Sequence, residues 1–164
     1  IELGHRRIGF ITGILELSSA KDRYDGYINA LKDYQIPIDE KLITVGDFGQ
    51  ESGYVATRQL LALDAPPTAI FASNDMMAFG AMDAVREAGL NIPSDMSVIG
   101  FDDIPQAINT YPKLTTVHQP LEQMGRVGVK LLLEHIENPD TPPKNIVLAT
   151  QLVIRDSCQP LNKE

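Results

Sequence analysis

Four short runs of β-prone, almost continuously apolar residues constrain this chain most: Ile8-Gly9-Phe10-Ile11, Leu42-Ile43-Thr44-Val45, Ala69-Ile70-Phe71-Ala72 and Ser97-Val98-Ile99-Gly100-Phe101. A strand with one wet face alternates polar and apolar residues, so runs without alternation point to strands covered on both faces, as in a parallel sheet. Parallel neighbours need crossover connections, usually helical. The intervening segments supply them. Tyr24, Tyr27, Ile28 and Leu31 fall at i, i+3, i+4, i+7, one stripe of a helix. Ser52 to Leu63 is helix-permissive, with Leu60, Leu61 and Leu63 available to a core. Met76, Met77, Gly80, Ala84, Val85 and Ala88 form a third stripe, and Gly89 sits where a C′ glycine belongs. Pro66-Pro67 and Pro93 punctuate the approaches to the third and fourth strands. The expected fold is α/β, a doubly wound parallel sheet flanked by helices.

From Leu114 the pattern changes. Leu114 to Val117 reads as a short strand, and Leu121, Met124, Gly128, Leu131, Leu132 and His135 mark a helix of four to five turns, ended by Pro139, Pro142 and Pro143. Ile146 to Ile154 reads as one long or two short strands, followed by a loose polar tail. The 164 residues suit one compact domain, or one and a fragment. Ile1-Glu2-Leu3 reads as the last turn of a helix already under way, so the expectation is a piece of a longer chain.

Charge removes one class of partner. Lys plus Arg number 14 against 22 Asp plus Glu, a net charge of −8, which gives these residues no basic footprint for nucleic acid. The single cysteine, Cys158, excludes an internal disulfide framework and a cysteine-based zinc knuckle. No apolar run approaches the ~20 residues of a membrane-spanning helix.

In open α/β sheets, ligands bind beyond the carboxyl ends of the strands. That edge collects Arg23 after the first strand, Asp47 and Phe48 after the second, Asn74 and Asp75 after the third, and Asp102 and Asp103 after the fourth. Carboxylates, amides and a guanidinium can each engage neighbouring hydroxyls of a polyol, and an aromatic offers an apolar face to a sugar or base. The set suits a neutral polyol better than a phosphate. Plainer roles stand beside these. Asp47, Ser73 and Asp75 precede helices, where such residues serve as N-caps; one of Asp102 and Asp103 is expected to close a turn; Phe48 can simply cover the sheet edge. Arg23 reads as opening a helix, where the dipole disfavours a cation, and that points to function.

Chemistry finds little support. The chain contains no G-x-S-x-G, no P-loop and no G-x-G-x-x-G, and His5, His118 and His135 lack metal-ligand spacing and read as surface or helix-end residues. A binding protein is expected: no enzyme, no cofactor, no metal.

Four segments then become recognisable together. Gly4 to Ile11, Pro67 to Asp75, Val98 to Asp103 and Leu114 to Pro120, with the closing Leu152 to Ser157, resemble in order and spacing the lactose/galactose-repressor (LacI/GalR) family of bacterial transcription regulators. Gly46 to Tyr54 and His118-Gln119-Pro120 are particularly similar to purine-repressor-like members. The resemblance implies a periplasmic-binding-protein-like core of two subdomains, in which a small effector, sugar or nucleoside-like, sets the affinity of a helix-turn-helix headpiece for operator DNA. Carried over by position, the effector contacts are Arg23, Phe48, Asn74 and Asp102, with Gln119 as a further candidate. By the same analogy, residues 1–117 form the C-terminal subdomain without its opening helix. Residues 118–146 belong to the N-terminal subdomain, residues 147–164 return, and the headpiece is absent.

The resemblance also implies a cytoplasmic homodimer. Its contact is expected at Met76, Phe79, Gly80 and Asp83, on helix faces that cannot all point to the sheet, and at Ile104 and Tyr111. The stripe on the Leu121–Ile136 helix would pack on the absent subdomain, so the helix is expected either to fold back onto the 8–117 body or to pack against a second chain. The rival reading is the sugar-binding protein of a transporter, which shares the fold.

Overall fold

The computed structural model describes residues 1–161. The elements run β1 (Ile8–Thr12), α1 (Ser18–Asp33), β2 (Ile43–Val45), α2 (Gln50–Leu61), β3 (Ala69–Ala72), α3 (Asp75–Glu87), β4 (Ser97–Asp102), β5 (Thr115–His118), α4 (Leu121–Glu137) and β6 (Gln151–Val153). They form one six-stranded sheet in the order β2-β1-β3-β4-β5-β6. The first five strands are parallel, and β6 pairs antiparallel to β5. From β1 the chain goes to one side to make β2 and to the other to make β3, so the topological switch point lies between β1 and β3.

The sheet is doubly wound, but its two faces are unequal. Ile11, Ile70, Ala72 and Val98 pack under α2 and α3 with Leu60, Met77, Ala81 and Val85, in a fully buried core. On the opposite face Phe10 stacks on Tyr27 of α1 at 4.8 Å between ring centroids, with Leu31 beside it. Ile8, Phe71, Ile99 and Phe101 are only half-buried. The expectation of strands covered on both faces therefore holds for one face and only partly for the other, where α1 is the helix that packs. Edge strand β2 leaves Val45 exposed, because an edge has a neighbour on one side only.

Two helices meet at backbone distance. A Cβ on Gly80 of α3 would lie 1.9 Å from the Gln50 carbonyl oxygen, and one on Gly53 of α2 would lie 2.1 Å from that of Met77. Gly80 therefore faces α2 and is buried, which takes it off the outer face where a dimer contact was expected. Met77 turns inward while Met76 turns outward, so Met76 leaves the core stripe. Gly89, at φ +76°, ends α3 as expected: its N–H reaches Arg86 O and that of Leu90 reaches Val85 O, the 5→2 and 6→1 bonds of a Schellman cap.

Three expectations for the C-terminal third need correction. Of the two packings expected of α4, against the 8–117 body or against a second chain, the first does not occur: no residue of α4 is buried, and Leu132 and Leu133 are 59% and 55% exposed. Its inner stripe, Met124, Val127 and Leu131, instead lines a shallow concavity with Ile146 and Leu148. Ile146 to Ile154 yields only β6, because β5 ends at His118, whose partner is Gln151, and residues before Gln151 have no strand to pair with. The tail is not loose. Ser157 is fully buried where β4 and β5 begin, donating its hydroxyl to Val98 O and accepting the N–H of Thr115, while Val98 N–H donates to Ser157 O. Residues 162–164 of that tail lie outside the described residues. At the other end, Ile1 to Gly4 form a turn closed by Gly4 N–H on Ile1 O.

Candidate ligand-binding edge

β4 ends in a left-handed turn, with Asp102 at φ +121° and Asp103 at φ +60°. Such angles are uncommon outside glycine, with aspartate among the tolerant residues. The two carboxylates take different partners. Asp103 accepts from Arg155 Nη2 at 2.5 Å and from His118 Nδ1 at 3.0 Å. Burial alone would raise its pKa, but the hydrogen bonds and charges of Arg155 and His118 outweigh this and hold it below the ordinary 3.8. Asp102 Oδ1 accepts from Gln119 Nε2 at 2.6 Å and lies 3.8 Å from Arg23 Nη2. Burial pushes the Asp102 carboxyl above its ordinary value, against the pull of Gln119 and Arg23.

Arg23 is the least satisfied charge at this edge. α1 begins at Ser18, so Arg23 lies in its second turn and does not open the helix, beyond the first turn where the dipole disfavours a cation. Its side chain is 13% exposed, and its guanidinium carbon sits 4.0 Å above the Phe101 ring. Its Nε is buried without a hydrogen-bond partner. Burial lowers its pKa, with Asp102 opposing. A largely buried guanidinium whose Nε has no partner and whose ion pair is loose is under-coordinated by ordinary standards.

Phe48 and Asn74 form the second half of the edge. Phe48 adopts φ +70°, and its ring covers Gly13 at the end of β1, where a Cβ would lie 2.0 Å from Cζ. Asn74 donates from Nδ2 to Phe48 O at 2.9 Å and caps α3 by accepting Met77 N–H at 2.9 Å. Capping thus falls to Asn74 and not to Asp47, Ser73 or Asp75. Asp47 is exposed and accepts Gly49 N–H at 2.7 Å, which closes the turn before α2. The Ser73 hydroxyl is buried without a partner. Asp75 is fully buried and accepts Ile104 N–H at 2.9 Å and the Thr116 hydroxyl at 2.5 Å.

The structure thus joins Arg23, Asp102 and Gln119 directly, and Phe48 with Asn74, at the carboxyl ends of the strands. Reading by residue type missed Phe101, because in a buried strand an aromatic under a cation looks like any core residue. It also missed the roles of His118 and Arg155, whose shared partner is 15 and 52 residues away. His5 was misplaced as a surface residue: it is buried, bonded to Thr68 Oγ1 at 2.8 Å and close to Gln159 O at 3.1 Å. The concavities at the far end of α4 and between α3 and the turn at Pro105 include none of the residues of this edge, whereas the one under Met124, Val127 and Leu131 reaches Gln119. Among the described residues no group of three or more His, Cys, Asp or Glu could hold a metal, and no helix is long and apolar enough to cross a membrane.

Comparison with known proteins gives the family. Residues 1–158 match the family described as periplasmic binding protein-like domain. The chain is 43% identical over 161 residues to a probable HTH-type transcriptional repressor, ExuR, of Bacillus subtilis, covering 98% of this chain and 48% of that protein. It is 44% identical over 157 residues to the HTH-type transcriptional repressor PurR of Photorhabdus laumondii, covering 96% and 46%. Among solved structures, the transcriptional regulator CelR in complex with cellobiose superposes with a TM-score of 0.91 at 38% identity, covering 95% of this chain and 48% of that one. A LacI-family regulator from Enterococcus faecium with bound ribose gives 0.87 at 35%, covering 98% and 59%. The chain spans about half the length of the curated relatives it matches. It belongs to the periplasmic binding protein-like domain family, in the form that LacI/GalR-type transcriptional regulators carry as their core.

Proposed function

We propose that this chain is the sensing part of a LacI/GalR-type repressor and takes a small neutral polyol, a sugar or a nucleoside, at the edge formed by Arg23, Phe48, Asn74, Asp102 and Gln119. The observation that carries this is Arg23. Its Nε is buried and unpartnered, and its nearest carboxylate oxygen, on Asp102, stands at 3.8 Å, beyond hydrogen-bond distance. A hydroxyl pair bridging Arg23 and Asp102 would complete both groups, and the ring of Phe48 would cover the apolar face of such a ligand. Similarity to regulators bound to cellobiose and ribose supports the ligand class. Residues 118–146 are assigned to the other subdomain, with 147–164 returning, and operator DNA is contacted by a separate headpiece in the cytoplasm, where the operator is. The test is calorimetric titration of the full protein encoded by the gene with ribose, cellobiose and adenosine. Saturable binding of one of them is expected; binding of inorganic phosphate alone would overturn the ligand class.

The same reading makes the protein a two-fold dimer through α3 and the segment after Asp103. Met76, Phe79 and Asp83 line a groove between α3 and the Pro105–Ile108 turn, and Arg86, which also lines it, donates to Tyr111 O. The Tyr111 side chain is itself 91% exposed. Ile104 is half-buried. Aromatic residues and methionine are enriched at interfaces. Sedimentation at tens of micromolar should give a dimer, and Tyr111→Ala with Phe79→Ala should shift it to monomer. A monomeric wild type would refute the contact.

A further inference from the structure

Asp75 is a buried carboxylate that neither capping nor ligand binding uses. It is fully buried, and no cation stands among its partners, which are the Ile104 N–H and the Thr116 hydroxyl. Ile104 directly follows the left-handed Asp102–Asp103 turn, and Thr116 belongs to β5, the strand that leads to His118 and Gln119. Gly100 makes room for it: a Cβ there would lie 2.3 Å from Asp75 Oδ1. Left-handed backbone at two successive non-glycine residues is costly and persists only where the surroundings over-determine it. The Ile104 amide is the first backbone donor after that turn, and its acceptor is a side chain anchored in α3 and steadied from β5.

We propose that Asp75 is the positioning residue of the ligand-binding edge: its bridge from Ile104 N–H to the Thr116 hydroxyl holds the Asp102–Asp103 turn left-handed, and so presents Asp102 to Arg23. It touches no ligand. The inference rests on the proposed reading of the edge for its consequence, but its structural content stands without ligand. Asn74, the residue before it, fastens Phe48 by the converse bond, donating its Nδ2 to the Phe48 carbonyl. The first turn of α3 therefore pins both strained turns that carry the site.

The experiment uses Thr116, because removing a buried carboxylate can unfold the protein for unrelated reasons. Thr116→Val keeps the shape and loses the hydroxyl; Thr116→Ser keeps the hydroxyl and loses a methyl. By NMR without ligand, Thr116→Val should speed exchange of the Ile104 amide about tenfold or more and change the Asp102 HN–Hα coupling, while amides of β1 and α2 keep wild-type exchange. Thr116→Ser should match wild type within about twofold. Titration with ribose, cellobiose and adenosine should then show about tenfold weaker binding for Thr116→Val and recovery for Thr116→Ser. Unchanged Ile104 exchange and Asp102 coupling in Thr116→Val, or a Thr116→Ser variant as loose as Thr116→Val, overturns the proposal. If the NMR result holds and the wild type binds none of the probes, the positioning role stands and the polyol reading falls.

Discussion

Arg23→Ala should weaken effector binding by about tenfold to a hundredfold while leaving the thermal midpoint of the free protein close to wild type. Charge-assisted hydrogen bonds lost from a desolvated site cost ~1.5–3 kcal/mol. In the free protein Arg23 makes no side-chain hydrogen bond, so what the fold loses with it is a loose ion pair at 3.8 Å and the stacking over Phe101, together about 1 kcal/mol. Asp102→Ala should weaken binding equally, but alanine at φ +121° adds backbone strain. Asp102→Asn is the cleaner variant, since asparagine tolerates left-handed angles and still accepts from Gln119. The pH dependence has a definite sign. The Asp102 carboxyl is raised above 3.8, chiefly by burial, and hydroxyl recognition uses its ionised form. Affinity is therefore full above that raised value and declines as pH falls through it, and Asp102→Asn should abolish this acid limb. Calorimetric dissociation constants across pH decide the matter. Wild-type constants in both Arg23→Ala and Asp102→Asn refute the assignment.

Gly80→Ala should be the most damaging single methyl in the chain's helical layer. The added Cβ would meet the Gln50 carbonyl oxygen at 1.9 Å and the Tyr54 nitrogen at 2.7 Å, both backbone atoms that no rotamer change can move. α2 and α3 must separate, which opens the core over Met77, Ala81 and Leu60. Overpacking typically costs ~1–3 kcal/mol and more where backbone must shift, against a stability of ~5–15 kcal/mol. The urea midpoint should drop accordingly. Gly125→Ala, in exposed α4 with nothing within 4 Å of the new Cβ, is the control and should stabilise by ~1 kcal/mol through helix propensity. Equal midpoints for Gly80→Ala and wild type would show that the two helices do not touch at this point.

Much of the fold was legible because burial on both faces leaves a plain mark. Strands β1, β3 and β4 fall where Ile8–Ile11, Ala69–Ala72 and Ser97–Phe101 placed them. The cap at Gly89 follows from the one residue that takes φ +76° without cost. The edge that carries Arg23, Phe48, Asn74 and Asp102 was legible too, because parallel topology sends every strand's carboxyl end to the same side. Less legible was α4. Its stripe is real, with Leu131 and Val127 on the inner side, but amphipathicity tells only that a face wants cover and not what covers it.

What the sequence determined by itself is local and periodic: which runs become strands, where helices begin and stop, and which end of the sheet gathers polar residues. These follow from side-chain spacing and backbone preference within a few residues. The tertiary structure alone decided the division of labour among those polar residues. Asn74 rather than Asp47 or Asp75 became the cap, Asp103 went to Arg155 and His118, Asp102 was left for Arg23 and Gln119, and Asp75 took Ile104 and Thr116. Apart from the Asn74 cap, whose partner lies three residues on, each choice depends on a partner 15 to 79 residues away and on how much water each carboxylate loses. Desolvation and long-range pairing are properties of the assembled sheet edge, so no local pattern encodes them.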